Sequence, residues 1–299
     1  MLKRKLGQTD MEVSILGFGG AEIGYEDSSV SQVERLLGSA LDAGLNVIDT
    51  AECYKTSEEL IGKAVGHRRD EYYLFTKCGH ASGFEQPDWD PQMLSQSIDR
   101  SLRRLGTDYV DLIHLHSCSE ELLRQGDVID VLKRAKEAGK VRYIGYSGDR
   151  SAAMYAVTCG AFDTLQTSVN IADQELYQPP FRRRRPAGSV SSRSARSPTP
   201  PGKPDKKPES SYHMPYWERL QLLDYDFLRG DLTGSIETAL RFTLSLPAVA
   251  TAIVGTSNPE RWVQNAKLAG RGSLPQEQVE AIRQRWMEVS HGRDWHGLT

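Results

Sequence analysis

The chain has 299 residues, 38% of them hydrophobic, and 37 basic against 40 acidic side chains. It therefore carries enough apolar material for a core and no positive excess, which excludes a fully disordered polymer and, for the chain as a whole, a strongly basic nucleic-acid binder. Its length allows two domains of about 150 residues or one α/β barrel, a fold that uses a chain of this size as a single unit. Cys53, Cys78, Cys118 and Cys159 lie far apart and form no Cys-x-x-Cys pair. That argues against a disulfide framework or a Cys-rich zinc site and fits a reducing compartment. No apolar run approaches the ~20 residues that span a bilayer, and Met1–Leu6 lacks the apolar run of a signal peptide. A cytoplasmic protein with no membrane partner is expected.

Taken in chain order, strand-like and helix-like stretches alternate. Val13–Phe18 reads as a strand, Ser31–Ala43 as a helix closing at Gly44, and Leu45–Asp49 as the next strand. A helix at Ser57–Val65, a strand at Tyr72–Lys77, a helix at Pro91–Leu105 and a strand at Tyr109–His116 follow. Next come a helix at Val128–Ala138 closing on Gly139, a strand at Val141–Tyr146, a helix at Ser151–Thr158 and strands at Phe162–Val169 and Ala250–Val254. Glycine past the last helical turn takes positive φ cheaply, so it marks each switch. The alternation predicts βαβ units and a parallel sheet. Right-handed crossovers then leave an open doubly wound sheet or a closed (β/α)8 barrel. The gap between Asn170 and Leu232 has room for one further helix and strand. The barrel is favoured because Asp49, Lys77 and His116 end consecutive strands, and barrel strand ends converge on one mouth.

Tyr54, in the loop after Asp49, completes a set of four polar residues. A free tyrosine has a pKa of about 10. A neighbouring ammonium, here Lys77, favours the phenolate and makes proton donation to a developing alkoxide easier. Asp49 would hold Lys77 charged and in place, and neutral His116 would donate to a carbonyl oxygen. The set suits reduction of an aldehyde or ketone. Because no side chain carries a hydride, a nicotinamide cofactor is required.

Asp49-Thr50-Ala51-x-x-Tyr54-x-x-Ser57-Glu58-x-x-Ile61-Gly62, Phe75-Thr76-Lys77 and Asp111-Leu112-Ile113-His114-Leu115-His116 resemble, in the expected order, the motifs of the aldo-keto reductase family. Lys5-Leu6-Gly7 through Leu16-Gly17-Phe18-Gly19-Gly20 is similar to its opening hairpin and first strand. The resemblance runs from about Leu2 to Asn170 and resumes from about Tyr212 to Leu268. It implies a (β/α)8 barrel that reduces a small carbonyl substrate with NADP(H), NAD(H) being the alternative. It carries the catalytic roles to Tyr54, Asp49, Lys77 and His116. Lys55 departs from the family's usual Gly, and Ser147-Gly148 departs from its usual Ser-Asn. The resemblance further implies nicotinamide contacts at Ser147 and Gln166 and cofactor contacts at Gly20 and Gly255. Ser257 and Arg261 would meet a 2′-phosphate, with Gln264 and Asn265 near adenine. Physically, Ile253–Arg261 reads as a strand, a turn and a Pro-started helix whose N-terminal amides favour an anion. No Gly-x-Gly-x-x-Gly is present, so Rossmann-type binding is excluded.

Alternative readings differ in class. His114 and His116 share a strand face and would suit a metal-dependent hydrolase, but only Asp49 is placed to assist and Lys77 competes as a cation. No resident metal is expected, and His114 reads as an interior side chain. Cys53 and Cys78 read as small core residues. Trp286, His291, Trp295 and His296 either line a substrate loop or pack on the barrel. A catalytically impaired member that binds a nucleotide or partner is the main alternative.

One stretch is out of character. Arg182–Lys207 holds nine basic residues and one acid, Asp205, leaving 28 basic against 39 acidic residues elsewhere, a net −11. A basic arm and a disordered insert are two readings of it. A third is translation out of frame: shifting Ser192–Pro204 by one register permits Ala-Lys-Arg-Pro-Ile-Ala-Asn-Ala-Ala-Trp-Lys-Thr, a plausible seventh strand and loop. The chain is thus expected to be one barrel domain over residues 1–299, with an anomalous, disordered or out-of-frame segment at 179–211. That segment disrupts the sixth helix and seventh strand. Oligomeric state has no sequence signal.

Overall fold

The structure, a computed structural model, describes residues 1–175, residues 214–297 and the backbone of residues 190–193. An antiparallel hairpin, β1 (Lys3–Lys5) and β2 (Glu12–Ser14), precedes the first barrel strand, β3 (Leu16–Gly19). There follow α1 (Ala21–Tyr25), α2 (Val30–Asp42), β4 (Val47–Asp49), α3 (Ser57–Val65), β5 (Tyr73–Cys78), α4 (Pro91–Leu105) and β6 (Val110–His116). The chain continues through α5 (Glu120–Gln125), α6 (Asp127–Glu137), β7 (Val141–Ser147), α7 (Arg150–Thr158) and β8 (Thr164–Ser168). Then come β9 (Val190–Arg193), α8 (Met214–Leu223), α9 (Leu232–Leu244), β10 (Val249–Gly255), α10 (Pro259–Ala269) and α11 (Gln276–Ser290). Eight parallel strands close in the order β10-β3-β4-β5-β6-β7-β8-β9, the expected (β/α)8 barrel.

Local chemistry sets the boundaries. The Asp90 carboxylate accepts from Met93 N at 2.9 Å, Pro91 opens α4, and Gly106 ends it at φ 66°. Proline fits the first turn because its missing N–H would be unsatisfied there anyway. The seventh barrel place is taken by β9, which pairs Leu165–Ser168 on one side and Val249–Ile253 on the other, with a register irregularity between Val249 and Ala252. The expected place of the sixth helix and the rest of 179–211 lie outside the described residues.

Side chains alternate between the two faces of each strand. Outward residues such as Ile48, Leu74, Ile113 and Ile144 join helix residues Leu36, Ile61, Ile98 and Leu132 in one continuous core. Each large aliphatic side chain buried there contributes about 1.5–3 kcal/mol. Inward residues Val47, Phe75, Leu112, Ala250 and Ile253 form a separate cluster, plugged from below by Leu6, Met11 and Val13 of the hairpin. Gly17 makes the cluster possible, since a Cβ there would meet Ile253 Cδ1 at 2.5 Å and Val47 Cγ1 at 3.1 Å. No helix among the described residues is long and apolar enough to cross a membrane.

Candidate active site

Two residues further along the same strands the interior becomes polar. Lys77, fully buried on β5, donates to both carboxylate oxygens of Asp49 at 2.7 and 2.6 Å and to Thr50 O at 2.7 Å. A buried charge survives only when it is paired and hydrogen-bonded, and this lysine has both. Its Nζ lies 5.5 Å from the centroid of the Tyr54 ring. Tyr54 follows β4 in the loop before α3, and its ring meets His116 edge-on at 5.7 Å. Gln166 on β8 donates to Asp49 Oδ2 at 3.2 Å. The structure thus brings together Asp49, Tyr54, Lys77, His116 and Gln166 at the C-terminal strand ends.

Burial, and then the Lys77 charge, holds His116 well below the usual imidazole range, so the ring is neutral at physiological pH. The same two causes take His114 down to about 3. His114 is an interior side chain, against Phe75 and 3.4 Å from Thr164 Oγ1. Gly145 leaves room for it, because a Cβ there would meet Thr164 Oγ1 at 2.4 Å and His114 Cδ2 at 2.6 Å. Cys78 is buried in the core and its thiol is pushed up by desolvation. Cys53 is half-buried, with Sγ 3.4 Å from His116 Nδ1.

Ser147 ends β7, in register between His116 and Gln166. Its Oγ, like Gln166 Oε1, is buried without a hydrogen-bond partner. Unpaired buried polar atoms cost about 1–3 kcal/mol each, and a planar carboxamide with its own donor and acceptor suits this pair. Gly148 has a steric reason: a Cβ would meet the Tyr146 hydroxyl at 2.4 Å, and that hydroxyl is held by Cys118 O. Gly20 donates from its backbone to Asp49 O at 2.7 Å, and a side chain there would meet Ser57 Oγ. Gly255 pairs with Gly19, and a side chain there would run into Glu22 of α1. Ser257, Arg261 and Gln264 are exposed around the start of α10, and Asn265 is buried. The amides of Glu260 and Arg261 do not await an anion, since both donate to Asn258 Oδ1 at 2.9 and 3.4 Å. The expectation of an open helix N-terminus is corrected here for those two amides; the side chains of Ser257 and Arg261 near that end are exposed.

Several motif residues turn out to be architectural. Ser57 Oγ donates to Gly20 O at 2.7 Å, Glu58 accepts from Thr76, and Asp111 joins Leu74 N, Arg69 and Arg142. Gly62 lets α3 touch α4, where a Cβ would meet Arg104 O at 2.6 Å. Lys55 adopts φ 45°, the left-handed region that glycine enters freely, which accounts for glycine at this position in the family. Trp286 packs in the core against Trp295, while His291 is exposed. His296 contacts Arg150, and its carbonyl accepts from Arg219.

His80 was not legible as a site residue. Gly79 at φ 141° and a Trp89 N to Gly79 O bond turn the loop after β5 back, placing the His80 ring 5.4 Å from that of His116. Its position three residues after Lys77, on a loop leaving the same mouth, was the available signal.

Comparison with known proteins agrees with this architecture. Residues 15–186 match the model of the Aldo/keto reductase family. The chain is 29% identical to the uncharacterized oxidoreductase YqkF of Bacillus subtilis, over 95% of this chain and 96% of that one. It is 36% identical to L-galactose dehydrogenase of Arabidopsis thaliana, over 48% of each. The solved structure of the aldo-keto reductase AKR11C1 from Bacillus halodurans in its holo form superposes with a TM-score of 0.78 at 27% identity, covering 95% of this chain and 96% of the other. With more than half of its length matched to the family and the barrel closed around the motif residues, the chain belongs to the aldo/keto reductase family of NAD(P)H-dependent oxidoreductases.

Proposed function

We propose that this chain reduces an aldehyde or ketone to the alcohol with NADPH, and that Tyr54 is the proton donor. The observation that carries the reading is the Lys77 ammonium, clamped by both Asp49 oxygens and lying 5.5 Å from the Tyr54 ring centroid. A fixed positive charge beside a phenol lowers the cost of giving up its proton. Asp49 keeps that charge in place, and neutral His116 donates a hydrogen bond that fixes the carbonyl oxygen near Tyr54. When bound, the reduced nicotinamide supplies the hydride. Ser147 Oγ and Gln166 Oε1 would hold its carboxamide, and exposed Ser257 and Arg261 would favour the 2′-phosphate of NADPH over NADH. A similar relative, the aldo-keto reductase yakc of Schizosaccharomyces pombe, carries NADP(+) in its name.

The test is loss of absorbance at 340 nm with NADPH and simple aldehydes. Turnover should fall roughly 10²–10⁴-fold in Tyr54→Phe, the range expected for losing a general acid, with NADPH binding by intrinsic fluorescence preserved. Unchanged turnover would refute the role of Tyr54. The composition of Arg182–Lys207 favours one second reading, a member that binds the nucleotide without turning over. Fluorescence titration with NADPH but no consumption would select it.

A further inference from the structure

Beside the proposed catalytic set, one potential ligand atom from each of Cys53, His80 and His116 lies within 4.8 Å of the other two. Cys53 Sγ is already 3.4 Å from His116 Nδ1. In a tetrahedral zinc site, Zn–S of about 2.3 Å and Zn–N of about 2.0–2.1 Å separate sulfur from nitrogen by about 3.5 Å. Cys53 and His116 therefore stand at the spacing of a ligand pair, and His80 has to close by only about an ångström. His80 sits on the loop that folds back from β5, and Asp88 Oδ2 holds its Nδ1 at 2.9 Å. A carboxylate on one ring nitrogen orients an imidazole and raises the basicity of the other, the usual support of a ligating histidine.

We infer that Cys53, His80 and His116 bind a borderline-soft divalent cation such as zinc, leaving its fourth position open. One thiol and two imidazoles select zinc over magnesium or calcium, which prefer oxygen. On binding, the Cys53 sulfur exchanges its proton for a metal bond and the proton leaves to solvent. The resulting thiolate offsets part of the ion's charge. Asp49, held against Lys77 through both oxygens, offsets part of the repulsion between that ammonium and the ion. The consequence for turnover rests on the proposed role of His116: the ion's open fourth position, beside that ring, competes with Tyr54 and His116 for the carbonyl oxygen, so zinc is a reversible inhibitor.

Cobalt(II) titration of the full-length protein, kept reduced with a phosphine, tests the site apart from catalysis. A near-ultraviolet thiolate-to-cobalt band with visible tetrahedral bands is expected, both bleached by zinc. Cys53→Ser should abolish the thiolate band, and His80→Gln should weaken cobalt binding roughly tenfold or more. Zinc should lower NADPH-dependent turnover of the parent and EDTA restore it, while the same fractional inhibition of His80→Gln, relative to its own zinc-free rate, should need roughly tenfold or more zinc. No thiolate band in the parent, or binding unchanged in both variants, overturns the site whatever turnover does. A parent that shows the band but never consumes NADPH upholds the site and overturns the catalytic reading instead.

Discussion

At the lower level of the barrel interior, Val47, Phe75 and Leu112 pack with Ile253 and the hairpin plug. One pleat higher on the same strands stand Asp49, Lys77 and His114. The backbone is continuous and the burial is equal, yet the lower level contributes stability by excluding water, whereas the upper one keeps its charges only because Lys77 and Asp49 pair. In such barrels the C-terminal face carries chemistry and the opposite face stability, and here the boundary between them falls within single strands.

The sharpest way to break this contrast is to remove one partner above and one side chain below. Lys77→Met leaves the Asp49 carboxylate buried without its cation and should cost about 3–5 kcal/mol of stability, read as a lower urea midpoint, with turnover lost as well. Met11→Ala, in the fully buried plug, should cost about 2–5 kcal/mol through the cavity it opens and leave turnover unchanged wherever the protein stays folded. If Met11→Ala silenced the folded enzyme, the two levels would not be independent.

A smaller effect separates them by pH. His114 is depressed from 6.5 to about 3, so below pH 6.5 the unfolded chain binds a proton that the folded one refuses. Its stability contribution is complete above 6.5 and is lost as pH falls towards 3, by up to about 1.4 kcal/mol per unit. Glu58 and Asp173, raised by burial, act in the opposite sense in any variant. The informative quantity is therefore the difference between the parent and His114→Asn: the parent should lose more stability between pH 7 and pH 5. Least of all, Lys55→Gly relieves a left-handed φ worth about 1–2 kcal/mol but adds chain entropy and gives up the Lys55–Tyr25 contact. A gain below about 1 kcal/mol is expected by thermal melting.

The alternation of helices closing on glycine with β-branched runs carried the barrel, and the placement of Asp49, Lys77 and His116 at strand ends carried the candidate site. Both were readable because they depend on periodicity along a local stretch of chain. Other features depend on approach between distant segments. Gly148 is dictated by the Tyr146 hydroxyl, and Gly145 by the space that His114 and Thr164 occupy. The expected anion site at α10 failed in its backbone part because Asn258 caps its own helix. His80 reached the site only through a loop reversal.

By itself, the sequence determined the strand–helix order and the identity of the polar residues at the mouth. These follow from local backbone preference and from the places where the strand-like runs end. Only the tertiary structure decided which of those residues touch: Asp49 around Lys77, Cys53 against His116, and the plug beneath Phe75. Barrel closure and loop reversal set those distances, and pairing energies act over a few ångströms that no sequence spacing encodes.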